Sequence, residues 1–484
     1  MVETPANKKD AESALTPTTL SFARRFDIFI KLRYAQAYLA GKVDEFHREM
    51  YCSHIRAFNA FTEIDENGVP TKLGAVDFLR SFQATIDSIN AVGYRPEFPI
   101  PVTGDLVPLN GAHRIAACLA TGCSLNVLER AGAVPPVWNA PFFHDRHVAE
   151  EYLDDAALCL VECLPRLHAA IIFAAGFEQR ELIVDQVCTV GDVHYRKELR
   201  LSRSGADNLI RVVYDGENWL GKREHGYQGA RGKARPCFPA TLPAHAELVV
   251  FQRHGSLDEI VNAKQSIREV IGVGKHSVHI TDSDDEVRSI APWLLNGNSF
   301  HVLNNKRYAN CFGFEKDLAQ FRAQLATANV SAKDVCVVGS ATLAAYGIRD
   351  SRDLDFVIDP RLVNVAEAHG LKTHNEYLAR FGIDAERLIR DPRDHFYIAG
   401  LKFQSLDSVL ELKKRRREKK DRVDIELVRL MVDRRWTMKT RFARSAQLLR
   451  LYSDVRWLRS FVGHWLYRLG MRRQRSKQAR RRNK

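Results

Sequence analysis

The segment VCVVGSATLAAYGIRDSRDLDFVID, residues 335–359, leaves its part of the chain few ways to fold. Four apolar residues run into Gly339 and Ser340, which reads as a short buried strand opening directly into a small-residue helix. Twelve residues separate Ser340 from Asp353, and the strand expected there, DLDFVID, carries Asp353 and Asp355. The two-residue period of a strand puts both carboxylates on one face, about 6–7 Å apart. That arrangement suits Mg2+, a hard ion that takes oxygen ligands and completes its shell with substrate phosphates. A glycine and a serine at a helix start offer backbone N–H groups and a hydroxyl to a triphosphate. Together these parts describe a site for in-line attack on phosphorus. The plainer reading is an acidic surface strand neutralised by Arg349 and Arg352.

The rest of the composition says what surrounds this segment. With 484 residues, 45% hydrophobic and 27% charged, the chain is long enough for about three domains of ordinary globular character. No apolar stretch reaches the length of about 18 residues that a spanning helix needs, so no integral membrane segment is expected. The polar start shows no secretory leader, and the nine cysteines form no CxxC pair, which points to a cytoplasmic protein without a disulfide framework or zinc ribbon. The net charge of +13 is unevenly placed: residues 411–484 carry +19 and the first 410 carry −6. Any polyanion is therefore expected to meet the C-terminus.

A second pattern lies at residues 99–122, where a short strand, PIPV, leads through a turn to NGAHRIAACLATG. Gly111 lets the backbone approach an anion, the following helix start offers N–H groups, and His113 and Arg114 add charged donors. A helix start with purely structural hydrogen bonds is the alternative.

Both patterns resemble known families. NGAHRIAACLATG with the preceding PIPV resembles the core of the ParB/sulfiredoxin superfamily over about residues 95–130, which implies phosphate or nucleotide binding at Gly111, His113 and Arg114. Ala112 stands where sulfiredoxins have their cysteine, so reductase chemistry is not implied. The Gly-Ser and Asp-x-Asp pattern resembles the DNA-polymerase-β-like nucleotidyltransferase superfamily over about residues 333–431. That resemblance implies Mg2+ on Asp353 and Asp355, and an NTP such as ATP bound at Gly339 and Ser340. The stretch LDSVLELKKRRREKKDRVDIELV resembles the family's downstream helix, with Lys413, Arg417, Lys420, Asp421 and Asp424 in the motif positions and Lys413 expected at phosphate. The family places a third carboxylate on a later strand. HFYIAGLKF contains no acid, which leaves Asp391 or Asp394, just before it.

Elsewhere the signals are weaker. The loop GKREHGYQGARGKARP, residues 221–236, could close over phosphate or be a solvated hairpin, and Lys264 and Arg268 share a helix face that could meet an anion. His276, His279 and Asp282 suggest a metal only if the strand bends, because residues three apart face opposite sides. Trp219 reads as core. Residues 445–469 read as a basic amphipathic helix followed by an arginine-rich arm, a candidate contact for an anionic membrane surface or nucleic acid.

The expected architecture is an α/β (α+β) multidomain chain. Residues 1–22 are disordered, 23–148 form the ParB/sulfiredoxin-like domain, 149–314 a mixed middle region, 315–436 the nucleotidyltransferase-like domain, and 437–484 a basic helical tail. In detail, helix is expected over 26–63 and 149–178, and strands over 185–255. The expected function is Mg2+-dependent transfer of NMP or phosphate to an acceptor the sequence does not name. Two alternatives stay open: a nucleic-acid-binding regulator with an inert nucleotidyltransferase fold, and a peripheral protein of surface-polysaccharide assembly at the inner membrane surface.

Overall fold

The computed structural model describes residues 14–432, except 65–66, 223–225, 240–242, 307–313 and 352. The basic segment 445–484, and with it the expected membrane or nucleic-acid contact, lies outside the described residues. The described chain is mixed α/β, with helices outnumbering strands and the strands gathered in four small sheets.

The first sheet joins β1 (Ala14–Leu15), β5 (Leu125–Glu129) and β4 (Ile100–Val102), with β5 antiparallel to β1 and parallel to β4. A hairpin of β2 (Thr62–Ile64) and β3 (Pro70–Leu73) stands apart from it. Three helices pack round a shared interior, Asp27–Leu39 against both Ala112–Thr121 and Glu150–Cys163. Residues 14–22 were expected to be disordered, but β1 pairs with β5, and Leu20 and Phe22 are buried. The helical stretch expected over 26–63 is two helices, Asp27–Leu39 and Glu45–Asn59. Gly41, at φ +64°, breaks it, and the Asp44 side chain starts the second helix by accepting from the His47 N–H.

The second sheet, in the order β7 (Gly191–Leu201), β8 (Ala244–Arg253), β6 (Leu167–Ile172), β9 (Val278–Ile280), is antiparallel throughout. The helix expected over 149–178 stops at Cys163, because Pro165 biases Leu164 out of the helical region. LHAAII then becomes the fully buried β6. An all-apolar run has no period to separate strand from helix. Between β7 and β8, where strands were expected, the chain forms the helices Arg203–Val213 and Gln228–Cys237. One continuous core runs from Leu20 to Leu303, so the hydrophobic interior does not divide near residue 148.

The third sheet, in the order β11 (Phe356–Ile358), β10 (Val335–Val337), β13 (Leu401–Gln404), β12 (His395–Ile398), has its own core of residues between Val302 and Met431. β10 runs antiparallel to β11 and parallel to β13. The C-terminal ends of β10 and β13 and the N-terminal ends of β11 and β12 therefore share one edge.

Candidate active site

That shared edge carries the site. After β10 the Val338 N–H donates to the Asp355 carbonyl at 2.8 Å, drawing the acid-bearing loop against the strand end. Gly339 follows at φ +69°, a conformation side chains resist, and hands the chain to the helix Ser340–Ala345. The nearest atom to a side chain placed on Gly339 would be Asp355 Oδ2, at 3.8 Å. The Ser340 hydroxyl bonds Ser351 Oγ at 2.8 Å, and the Ser351 hydroxyl donates to the Asp353 carbonyl at 2.7 Å. The helix start and the acid loop are thus tied through two serines.

Gly339, Ser340, Asp353 and Asp355 therefore come together. The backbone differs from expectation in one respect: Asp353 and Asp355 lie in the loop entering β11, whose ladder begins at Phe356. Asp353 is exposed and Asp355 half-buried. Burial raises the Asp355 carboxyl above its ordinary range and the Asp353 charge adds to this, against His374, Lys420 and Arg416.

His374 had no signal in the sequence. Its backbone N–H donates to the Phe356 carbonyl at 2.8 Å, and the side-chain amide of the next residue, Asn375, clamps Ile358, its Oδ1 accepting from the Ile358 N–H at 3.0 Å and its Nδ2 donating to the Ile358 carbonyl at 2.7 Å. The clamp brings His374 Nε2 to 3.5 Å from Asp355 Oδ1, while Nδ1 is buried with no partner. Only the pairing of the following segment with β11 reveals this neighbour.

The downstream motif folds as a helical hairpin, Leu406–Arg416 and Lys419–Val432, turning at Arg417 with φ +58°. Lys413 Nζ lies inside it, 2.6 Å from Asp424 and 3.5 Å from Asp421. Arg349 pairs with both Asp424 oxygens at 2.6 and 2.9 Å, and Arg416 with Asp421 at 2.6 and 3.0 Å. Lys413 is only 2% exposed, so it braces the hairpin and has no surface to offer a phosphate, contrary to expectation. Lys420, exposed and within the field of Asp355, is the motif cation on the site side.

The third carboxylate does not join the other two. Asp391 is buried in a bidentate pair with Arg393, and Asp394 is bound by Arg387. Asp394 precedes β12, three strand positions from β11 along the edge, or about 14 Å at the usual spacing. The residue beside Gly339 is instead Gln404, at the end of β13. Its Oε1 accepts the Gly339 N–H at 3.1 Å, its amide donates to Ser408 at 2.9 Å, and its carbonyl accepts from Thr342 at 3.0 Å. Among the described residues, no three His, Cys, Asp or Glu side chains gather as a metal site.

At the other corner Gly111 caps the helix Ala112–Thr121 with φ +82°. The His113 ring packs edge-on to Phe82 at 4.7 Å and its Nε2 meets the Tyr51 hydroxyl at 2.9 Å. Burial lowers its pKa well below the ordinary imidazole range, and the Lys31 and Lys72 charges add to the effect. Arg114 donates to the Phe98 carbonyl. The His113 ring, one Arg114 N–H and the Gly111 N–H each have a partner within the protein, the last being the Asn110 side-chain oxygen at 2.7 Å. Gly111→Ala is expected to cost about 1–3 kcal/mol, since it combines a strained φ with a Cβ 2.5 Å from Ile100 Cδ1. Urea unfolding measures this; an unchanged midpoint would show that the corner relaxes freely.

The remaining candidates separate. His279 pairs with Glu286 at 2.8 Å, Asp282 binds Lys264, and His276 faces Lys233 and Cys237, so these three do not share a metal. Trp219, expected in the core, is 43% exposed. Among the described residues no helix is long and apolar enough to cross a membrane. No family model, no curated protein and no solved structure matches the chain.

Proposed function

We propose that the edge formed by Gly339, Ser340, Asp353 and Asp355 binds a nucleoside triphosphate with Mg2+ and transfers NMP or a phosphoryl group to an acceptor. The observation that carries this reading is the meeting of Asp355 with Gly339, an acid beside a strand end that presents no side chain. Two carboxylates with no third protein ligand fit Mg2+, which commonly takes one or two acids and fills its shell with water and substrate phosphates. Bound there, the ion neutralises charge developing on the transferred group.

The chain's own residues do the positioning. Gly339 leaves room for phosphate at the backbone, and Ser340 is held by the loop that carries Asp353. His374 orients Asp355 from one side, and Lys420 supplies a cation within reach of the same charge. Such transfer depends mainly on positioning and electrostatics, so this small set is chemically sufficient.

Gln404 favours a second reading, a module that holds the nucleotide without transferring it, because an amide stands beside Gly339 where an acid could bind a second ion. ATP labelled at the α-phosphate, and separately at the γ-phosphate, incubated with the full chain, Mg2+ and a protein-free small-molecule extract, separates the two. Label appearing in a new compound, and lost with Asp353→Asn, supports transfer. Binding with no new labelled compound supports the holding module.

A further inference from the structure

The glycine-rich basic stretch 221–236 belongs to the connection between β7 and β8. Its second half forms the helix Gln228–Cys237. A side chain at Gly229 would stand 1.8 Å from the Trp219 carbonyl oxygen, so only glycine lets the first helical turn pack on the turn Asn218–Leu220. Four groups meet beside this turn. The Tyr214 ring meets Trp219 edge-on at 5.1 Å and His279 at 4.9 Å, and Lys233 Nζ lies 5.8 Å from the Tyr214 centroid.

Among the described residues no acid pairs with Lys233. It donates to the Lys275 carbonyl at 2.5 Å and stands 3.4 Å from His276 Nδ1. Arg268, on the helix Leu257–Ile271, is half-buried, and its Nε is buried with no acceptor. No carboxylate among the described residues lies within ion-pair distance of either cation. The nearby acids are engaged, Glu286 by His279 and the Asp282 N–H, and Asp282 by Lys264. Burial lowers the Lys233 ammonium below its usual range, and the Arg268 charge pushes the same way. Two neighbouring half-buried cations without a counter-charge are unfavourable until an anion joins them.

The helices Gln228–Cys237 and Leu257–Ile271 both pack on the turn Gly274–His276, and we propose that the surface beside this turn binds a phosphate-bearing small molecule, its anion between Lys233 and Arg268 and its ring against Tyr214 and Trp219. The ring half rests on the exposure of Trp219 beside Tyr214, since an aromatic face accepts a base by stacking.

The test is calorimetric titration of the full chain with pyrophosphate and with AMP, without Mg2+. Both are expected to bind, with affinity falling at least tenfold in Lys233→Met and in Arg268→Gln but unchanged in Asp355→Asn. Should Lys233→Met fail to fold, Arg268→Gln decides, since it keeps the helix and removes only the charge. Binding that survives Arg268→Gln in a folded protein overturns the site. A changed affinity in Asp355→Asn instead would assign the anion to the sheet edge, where removing a carboxylate relieves its repulsion, and equally overturn the site. Inorganic phosphate is titrated in the same way: AMP binding more tightly than inorganic phosphate, with that advantage lost in Trp219→Ala, supports the ring contact, and equal affinities overturn that half.

Discussion

Asp424→Ala is expected to destabilise the chain by about 3–5 kcal/mol, the usual effect of removing one member of a buried ion pair. Asp424 pairs with both Lys413 and Arg349, and its loss takes the bidentate carboxylate from Arg349 and leaves Lys413 with the more distant Asp421. The hairpin it braces covers the sheet that carries the site, so nucleotide binding should fall with stability. Urea denaturation measures the effect. The acid limb gives a second reading. Burial alone would raise Asp424, but Arg349 and Lys413 hold it below the usual carboxylate range. Its contribution to stability is therefore full above the unfolded value of about 3.9 and lost as pH falls through the lower folded value. In Asp424→Ala that part of the acid slope should disappear. A variant as stable as the parent, with an unchanged acid limb, would show that the network contributes nothing.

Parts of this structure were legible because local chemistry and fold agree. The helix Leu257–Ile271 begins after Ser256, whose side chain forms a capping box with Glu259, and ends at Gly272 with φ +75°. The strand, glycine and helix at 335–345 were equally plain, and Gly339, Ser340, Asp353 and Asp355 do meet. What escaped the sequence depends on pairing between distant segments. β6 was hidden because each of its residues is buried and no alternation marks it. His374 reaches Asp355 only because its segment is clamped to β11, and Gln404 reaches Gly339 only because β13 runs parallel to β10. Lys413 stood in the expected motif position, yet the hairpin turned its ammonium inward.

The second large effect concerns the two acids themselves. With Asp353→Asn and Asp355→Asn together, the chain should remain folded and be at least as stable as the parent without ligand, since the carboxylates repel one another. It should lose all Mg2+-dependent gain from ATP. The direct measurement is thermal unfolding of both proteins with ATP, with and without Mg2+. At a ligand concentration of about 100 Kd the parent should gain about 2.7 kcal/mol, a rise of several degrees. The account predicts that this rise needs Mg2+ and vanishes in the double variant while its unliganded melting point holds; an equal rise in both proteins would contradict it.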